Sequence, residues 1–445
     1  MLIRFVTSNF LSFGEEKEFN MIASSLKTHK HHVYKVGKID ILKSAAIYGA
    51  NGAGKSNLIK AIEFLQEITE DGGLLQSVND KKFKLDKSFK NKPITFEVEI
   101  SISKKIYSYG ISLDNNTILE EWLYESGITI DDKLIFERKF KNNKQFIKVA
   151  EKYSKTQKQK FLIELMEESL LKNWESFLGK FDDLKIKEIT AVRNHIVKSI
   201  VIIHPGSKFQ GLVPHLSLSS KFKTFANDIL KTFDTGVSSL NVVKVDFDKF
   251  FGEDDLQAVN DIKLEVENGH SVLYNSKGNN VLVTKEDENL VVKKVVSNHT
   301  NNEGENITFE LDEESDGTQR LLDFIPAFDG ILEEEITFII DEIDQSLHPA
   351  LLRSLIKKIM TDDTTKGQLI FTTHESNLLD LEIFRQDEIW FAEKDQQFGN
   401  THLYSLSEFK PRYDLDIRKG YLKGRFGAIP FLAQLDDLNW NLENA

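Results

Sequence analysis

The stretch GANGAGKSN, Gly49 to Asn57, carries the spacing G-x-x-x-x-G-K-S from Gly49 to Ser56. Glycines at those places let a loop curl its backbone NH groups inward around phosphates. A lysine then reaches the β- and γ-phosphates, and the following hydroxyl can bind magnesium. Gly49, Ala50, Asn51, Gly52, Ala53, Gly54, Lys55, Ser56 and Asn57 are therefore candidates for holding a nucleoside triphosphate. Such a loop needs a metal carboxylate, and Ile336 to Glu342, ITFIIDE, ends in two acids. Asp341 would join Ser56 in the metal shell, and Glu342 would orient or deprotonate an attacking water. An acidic turn after an apolar strand is the plainer reading. His374 follows a second such strand, Gln368 to Phe371, at the end where open α/β sheets bind ligands; a surface histidine is the alternative.

A further polar run, ESDGTQRLL from Glu314, stands against an apolar, helix-like segment. Ser315 or Asp316 can cap a helix by accepting a hydrogen bond from a first-turn NH. One cap suffices, so Gly317, Thr318, Gln319 and Arg320 are surplus to it. A positive helix end with exposed NH groups is also a place to hold phosphate.

These residues need elements to carry them. Ile41 to Tyr48 reads as a strand, and Leu58, Ile62, Leu65 and Ile68 fall at helical spacing after the loop, so the context is strand, glycine loop, helix. Pro93 to Ile102 alternates Ile94, Phe96, Val98, Ile100 and Ile102 on one face, and further strands follow. This predicts an antiparallel sheet that completes a first lobe, residues 1–150. Residues 151–235 read as a helical insertion, with Phe161 and Leu165 or Leu162, Met166 and Leu170 at helical spacing. Residues 236–445 carry the later motifs, and Asp246 to Phe309 reads as short strands with Gly and Asn turns.

Composition narrows the class. At 445 residues, 40% hydrophobic and 29% charged, the chain is expected to form two or three globular domains or lobes. No apolar run reaches the ~18 residues of a membrane span, and the start lacks a secretory pattern, so a cytoplasmic protein is expected. Zero cysteines exclude disulfides, thiol catalysis and cysteine-ligated metal. No histidine cluster with metal-ligand spacing stands out. The net charge of −13 argues against whole-surface affinity for nucleic acid. Two lysine-rich segments, Asp80 to Lys92 and Glu137 to Lys160, could still form local basic patches, although solvated faces are the plainer reading.

Taken in order, GANGAGKSN, SDGTQR, ITFIIDEIDQSLHP and TTH resemble the ATP-binding-cassette head shared by SMC, RecF-type and Old-related ATPases. The resemblance implies an α/β P-loop fold with an antiparallel β lobe, and a helical insertion between the Walker A loop and the signature. It also implies ATP and Mg²⁺ as ligands and a homo-oligomer of at least two copies. Ser315, Asp316, Gly317, Thr318, Gln319 and Arg320 would form the signature, closing over phosphate held by a partner copy's loop. Asp344 to Pro349 resembles the D-loop and His374 the switch histidine. Asn9, Phe10, Ser12 and Phe13 resemble the segment that supports the adenine. The signature reads S-D-G-T-Q where transporters have S-G-G-Q, and His348 stands where many members carry aspartate.

About 260 residues separate Ser56 from Ser315, and no long heptad run is present, which sets the chain apart from transporter cassettes and long SMC coiled coils. DEESDGTQRLLDFIPAF, DEIDQSLHP, DEIWFAEKD and KGYLKGRFGAIPFL are similar to segments of AAA-type ATPases in bacterial abortive-infection and anti-phage systems, such as PARIS and RloA-like proteins. That likeness implies a toxic effector from an adjacent gene, of the nuclease kind, and a phage-derived trigger. The tail from Lys419 would dock a partner, or Gly420, Gly424 and Gly427 would be turns and Phe426 and Phe431 core. Two other functions compete: a RecF- or SMC-like DNA-repair ATPase, and an Old-like nuclease with its own TOPRIM domain. The first would call for a more basic face or a long coiled coil, and the second for more than the roughly 70 residues after His374.

Overall fold

The computed structural model describes residues 1–127, 131–180, 185–209, 211–252, 256–276, 279–412 and 415–429. Two compact units divide the chain: Met1–Ile203 with Glu335–Ile343 and Ile356–Ala445, and His204–Glu334 with Asp344–Leu355. The boundaries expected at 150 and 235 fall inside these units. Helices Gln157–Leu165 and Lys187–Lys198 belong to the first and helices Leu212–Leu218 and Ser220–Thr232 to the second, so the helical stretch is shared between them.

In the first unit, a six-stranded sheet runs in the order Ile200–Ile203, Thr337–Ile340, Gln368–Thr373, Ser44–Tyr48, Ile389–Lys394, Thr401–Ser405 among the described residues. The first five are parallel and the last is antiparallel. Their β-branched and aromatic runs are buried, as befits a parallel sheet covered on both faces. A seven-stranded antiparallel sheet contains Leu2–Ser8, Lys17–Asn20 and the strands from Ile94 to Val149. Ile94, Phe96, Val98 and Ile100 face its core, whereas Ile102 is only partly covered. The α/β class with an antiparallel lobe is thus present.

The helix Lys55–Asp71 buries Leu58, Ile59, Ile62, Leu65 and Ile68 in the same core. Gly72 ends it at φ 74, a left-handed cap that glycine adopts without a Cβ penalty. At this end lies the short helix Phe177–Lys180, so close that a Cβ on Gly179 would sit 2.7 Å from Gly72 Cα. Its position is set by Glu121, a fully buried carboxylate. Glu121 accepts from the Phe177 and Leu178 NH groups at 2.8 and 2.9 Å, from Ser176 Oγ at 2.8 Å and from Tyr109 Oη at 3.0 Å. Buried Arg138 lies 3.4 Å from it.

The second unit holds a smaller sheet, Val237–Asp246, Asn289–Thr300, Asn279–Glu286 and Val272–Ser276, with Asn306–Glu310 paired to the second of these. Phe247, Phe251, Ile262, Val266, Val281, Val283 and Val292 form its small core. The long helix Asp316–Glu333 buries Leu321, Leu322, Phe324, Ile325 and Phe328.

Four expectations are corrected. Ile200–Ile203 is a strand inside a stretch read as helical, because its β-branched run adds a parallel edge beside Thr337–Ile340. Leu256–Glu267 is a helix where strands were expected, with Ile262 and Val266 packed on the small sheet. In the helix Gln157–Leu165, Ile163 is buried and Phe161 is exposed. A histidine cluster does exist, at His29, His31 and His32. The lysines of Glu137 to Lys160 include Lys144 and Lys148 on Lys144–Val149, the edge strand of its sheet, where lysines deter pairing with another chain. In the other lysine-rich segment Lys82 is buried against Asp114 at 2.5 Å. In the tail, Gly424 and Gly427 are turns at φ 74 and 69 and Phe426 is core, while Phe431 lies outside the described residues.

Replacing Glu121 with Leu leaves buried Arg138 without its carboxylate and two NH groups without an acceptor in the core. Breaking a buried pair in this way costs about 3–5 kcal/mol, so the urea midpoint of unfolding should fall by a large fraction. An unchanged midpoint would remove Glu121 as the anchor of this corner.

Candidate nucleotide site

Parallel pairing places the candidate residues of the first unit at one sheet edge. Tyr48 pairs with Thr373, and Phe371 with Ile340. The glycine loop, His374 and Asp341 come directly after these three strands, at their carboxyl ends. Adjacent strands lie about 4.8 Å apart, so Asp341 and the loop are two strand spacings from each other, roughly 10 Å.

Gly52 and Gly54 adopt φ of 75 and 103, and the space where a Gly52 Cβ would stand is open. Gly49 is pressed against the chain, since a Cβ there would lie 2.3 Å from the Ala392 carbonyl. Lys55 is buried, and its Nζ donates to the Gly49 carbonyl at 2.7 Å and the Ala50 carbonyl at 3.2 Å, which folds the ammonium back across the loop. Ala50, Asn51 and Gly52 reach the surface, Ala53 is buried, and Ser56 is half-buried at the start of the helix. The Gly54 carbonyl accepts from the Asn57 and Leu58 NH groups at 3.1 and 3.2 Å, which starts the helix directly after the loop.

Two residues outside the motif hold the loop in this form. Thr401 Oγ1 donates to the Ala53 carbonyl at 2.9 Å and lies 2.8 Å from Ser12 Oγ. Asn57 Nδ2 donates to the same Ser12 Oγ at 2.8 Å, so Asn57 serves the loop's backing. A Cβ on Gly54 would come within 2.2 Å of Thr401 Oγ1, which makes glycine obligatory there. Of the segment expected near the adenine, Phe10 and Phe13 are core, and Asn9 donates to the Phe89 and Lys92 carbonyls. Ser12 alone of these lines a cleft beside the loop, about 270 Å³, with Asn57, Lys82, Lys84 and Lys394.

The acids are held from one side chain. Buried Thr372 donates from Oγ1 to Asp341 Oδ1 and accepts from the Glu342 NH at 2.8 Å. Glu342 sits at φ 51, a left-handed conformation that a non-glycine residue keeps only where neighbours enforce it. The Thr372 carbonyl also accepts from the Ile343 NH at 3.1 Å, and the Ile203 carbonyl from the Asp341 NH at 2.9 Å. Asp341 is buried, Glu342 half-buried and His374 exposed. Sequence reasoning passed over Thr372 and Thr401, although the first belongs to the TTH motif. Their hydroxyls matter only through partners distant in the chain.

These residues fit a nucleoside triphosphate with magnesium. An inward ammonium, a loop that reaches the surface from Ala50 to Gly52 and a buried carboxylate beside a half-buried one supply the donor set such a ligand requires. Ser56 and Asp341 could hold the ion.

In the second unit, Ser315 is the N-cap, accepting from the Thr318 NH at 3.2 Å. Ser315 and Asp316 are exposed and Gly317 partly so. A Cβ on Gly317 would lie 2.9 Å from the Ser346 carbonyl, so the signature and the Asp344 to Pro349 turn abut, with Ser346 at φ 63. Gln319 Nε2 donates to the Glu314 carbonyl at 2.9 Å. Thr318 and Arg320 turn inward. The Arg320 guanidinium donates to the His204 and Ser207 carbonyls at 3.1 and 3.3 Å and stacks on Phe324. Burial lowers its pKa, and burial raises that of Asp323 nearby.

A family model described as "AAA domain, putative AbiEii toxin, Type IV TA system" matches residues 44–380, from the loop strand to just past His374. The chain belongs to this AAA-domain family. No curated protein matches it. Among solved structures the AAA chain is similar to the SMC head domain from Thermotoga maritima, at 12% identity and TM-score 0.40 over 91% of this chain and 98% of that one. It is also similar to an Smc head bound to the C-winged helix domain of ScpA, at 13% identity and TM-score 0.40 over 92% and 99%. A third is the Smc head of Pyrococcus furiosus with an extended coiled coil, at 13% and 0.40 over 95% and 99%. No helix among the described residues is long and apolar enough to cross a membrane.

Thr372→Val keeps the shape and removes the hydroxyl that holds both acids. Loss of such an outer partner typically costs 10–100-fold in metal affinity or activity. ATP turnover measured against magnesium should therefore fall by about that factor and need more magnesium for half-saturation. Parental turnover at parental magnesium would show that Thr372 does not position the pair.

Proposed function

We propose that this AAA domain is an ATP-hydrolysing switch that controls a toxic effector in a bacterial anti-phage system. The observation that carries the enzymatic half is the joint placement of the glycine loop and the Thr372-held acids at one sheet edge. Gly49 to Ser56 would wrap the phosphates, with Lys55 neutralising their charge and Asn57 backing the loop through Ser12. Bound magnesium would offset phosphate charge and orient the terminal phosphate for attack. Glu342 would align a water and take its proton, while His374 would contact the terminal phosphate.

A second copy completes the site in this reading. Ser315, Asp316 and Gly317 form an exposed helix end, suited to a phosphate supplied by another chain. The buried Thr318 and Arg320 would shape that end from within, and Gln319 beside them would tie it to Glu314. Hydrolysis would then be linked to association, and nucleotide state would set whether an effector is held or released. The family description, which names a toxin and a type IV toxin–antitoxin system, supports a partner of that kind. The segments similar to PARIS and RloA-like proteins support a nuclease effector from an adjacent gene and a phage-derived trigger. Work inside the cytoplasm accords with these partners. The lysine-rich segments would at most add nucleic-acid contacts.

Mixing tests the shared site. Ser315→Arg and Lys55→Ala proteins should each lack turnover, yet a mixture should regain part of it, because mixed dimers contain one intact site. No recovery at any ratio, with subunit exchange shown by labelled copies, would contradict action between copies. Toxicity on co-expression with the adjacent gene, altered by Lys55→Ala, tests the effector half. Cleavage of DNA or RNA by the purified chain alone would overturn it.

A further inference from the structure

At the opposite end of the loop strand, away from the candidate nucleotide site, three histidines meet. His29, at φ 46, and the short turn Lys30–His32 bring together the rings of His29, His31 and His32. Each offers one ring nitrogen or another such that the three atoms lie within 4.8 Å of one another. Ring centroids are 4.4 Å apart for His31 and His32, and 4.9 Å for His29 and His32.

The hydrogen bonds around the cluster decide which nitrogens carry protons. His29 Nε2 lies 2.8 Å from the Leu381 carbonyl, which can only accept, so Nε2 carries a proton and the lone pair of the neutral ring is on Nδ1. His32 Nδ1 donates to both Glu388 oxygens at 2.9 and 3.0 Å. Glu388 is fully buried and also accepts from Ser44 Oγ at 2.6 Å and the Arg385 NH at 2.7 Å. His32 is itself 1% exposed, and its Nε2 is buried with no hydrogen-bond partner. His31 Nε2 is buried and unpartnered as well. Burying such groups unsatisfied costs about 1–3 kcal/mol each, so these two nitrogens call for a partner that the hydrogen bonds of the chain do not supply.

We propose that His29, His31 and His32 bind one divalent transition-metal ion of the zinc class, with Glu388 orienting His32 behind it. Imidazole favours zinc, copper or nickel over magnesium or calcium, and a carboxylate behind a ligating histidine fixes its tautomer and raises its basicity. Zinc takes nitrogen at about 2.0–2.1 Å, which corresponds to ligand atoms about 3.3 Å apart in a tetrahedron, so closing on an ion asks each ring for a shift on the order of one ångström. Three protein ligands leave a fourth position for water. A neutral imidazole is the form that ligates. The ion would pin the segment ahead of the hairpin Val33–Leu42 to the turn preceding Ile389–Lys394, through Glu388 and the Leu381 carbonyl.

The test uses the full chain without a histidine tag, stripped with chelator and free of nucleotide. Zinc chloride titrated by calorimetry should bind at one ion per chain and raise the thermal midpoint, with excess magnesium failing to compete. His31→Ala, which leaves Glu388 and His32 paired, should weaken zinc at least tenfold, and Lys55→Ala should bind it as the parent does. The cobalt(II) form of the unaltered chain should show a four-coordinate ligand-field spectrum, which keeps the test valid if a variant fails to fold. No saturable zinc binding, equal affinity in His31→Ala, or a six-coordinate cobalt spectrum would overturn the proposal.

Discussion

Parallel pairing between Ser44–Tyr48, Gln368–Thr373 and Thr337–Ile340 is the constraint on which the candidate site depends. Strands in register end together, so the glycine loop, His374 and the Asp341–Glu342 pair are all delivered to one edge. The central strand lies between the other two, and its Thr372 can reach across to both acids. A slip by one residue would turn Thr372 to the other face of the sheet and leave Glu342 without the bond that holds its left-handed backbone. The buried apolar faces of all three strands fix that register, so the chemistry at the edge rests on packing beneath it.

Packing also holds the edge in place. Thr401 and Ser12 clasp the loop from behind, while the helix after the loop is seated on the core by Leu58, Ile62 and Leu65 and stopped by Gly72 against the corner anchored on Glu121. At the other end of the short loop strand, Ser44 hydrogen-bonds Glu388, which in turn orients His32. The five residues of the strand span four rises of about 3.3 Å, so its two ends lie roughly 13 Å apart. An ion at the histidines would brace the strand from the end remote from phosphate.

Much of this was legible in the sequence where a pattern is local. The glycine loop, the apolar strands before Asp341 and His374, the alternation of Ile94 to Ile100 and the cap at Ser315 depend on neighbours in the chain, and the structure shows each. The features that stayed hidden depend on partners far away. Thr372 and Thr401 are ordinary strand threonines until Asp341 and Ala53 are brought beside them. Arg320 reads as a phosphate ligand, yet its guanidinium is spent on carbonyls of the 204–207 turn. Ile200–Ile203 was hidden by helical neighbours, and His29, His31 and His32 have no regular periodicity because a left-handed residue and a tight turn bring their rings together.

The central claim is that the acids held by Thr372 complete an ATP-hydrolysing site with the glycine loop. Single-turnover hydrolysis by Glu342→Gln, measured beside equilibrium binding of ATP with magnesium, tests it most directly. The substitution keeps the side chain's size and removes the base, so binding should persist while the hydrolytic step slows by ~100-fold or more. Hydrolysis at the parental rate would contradict the account.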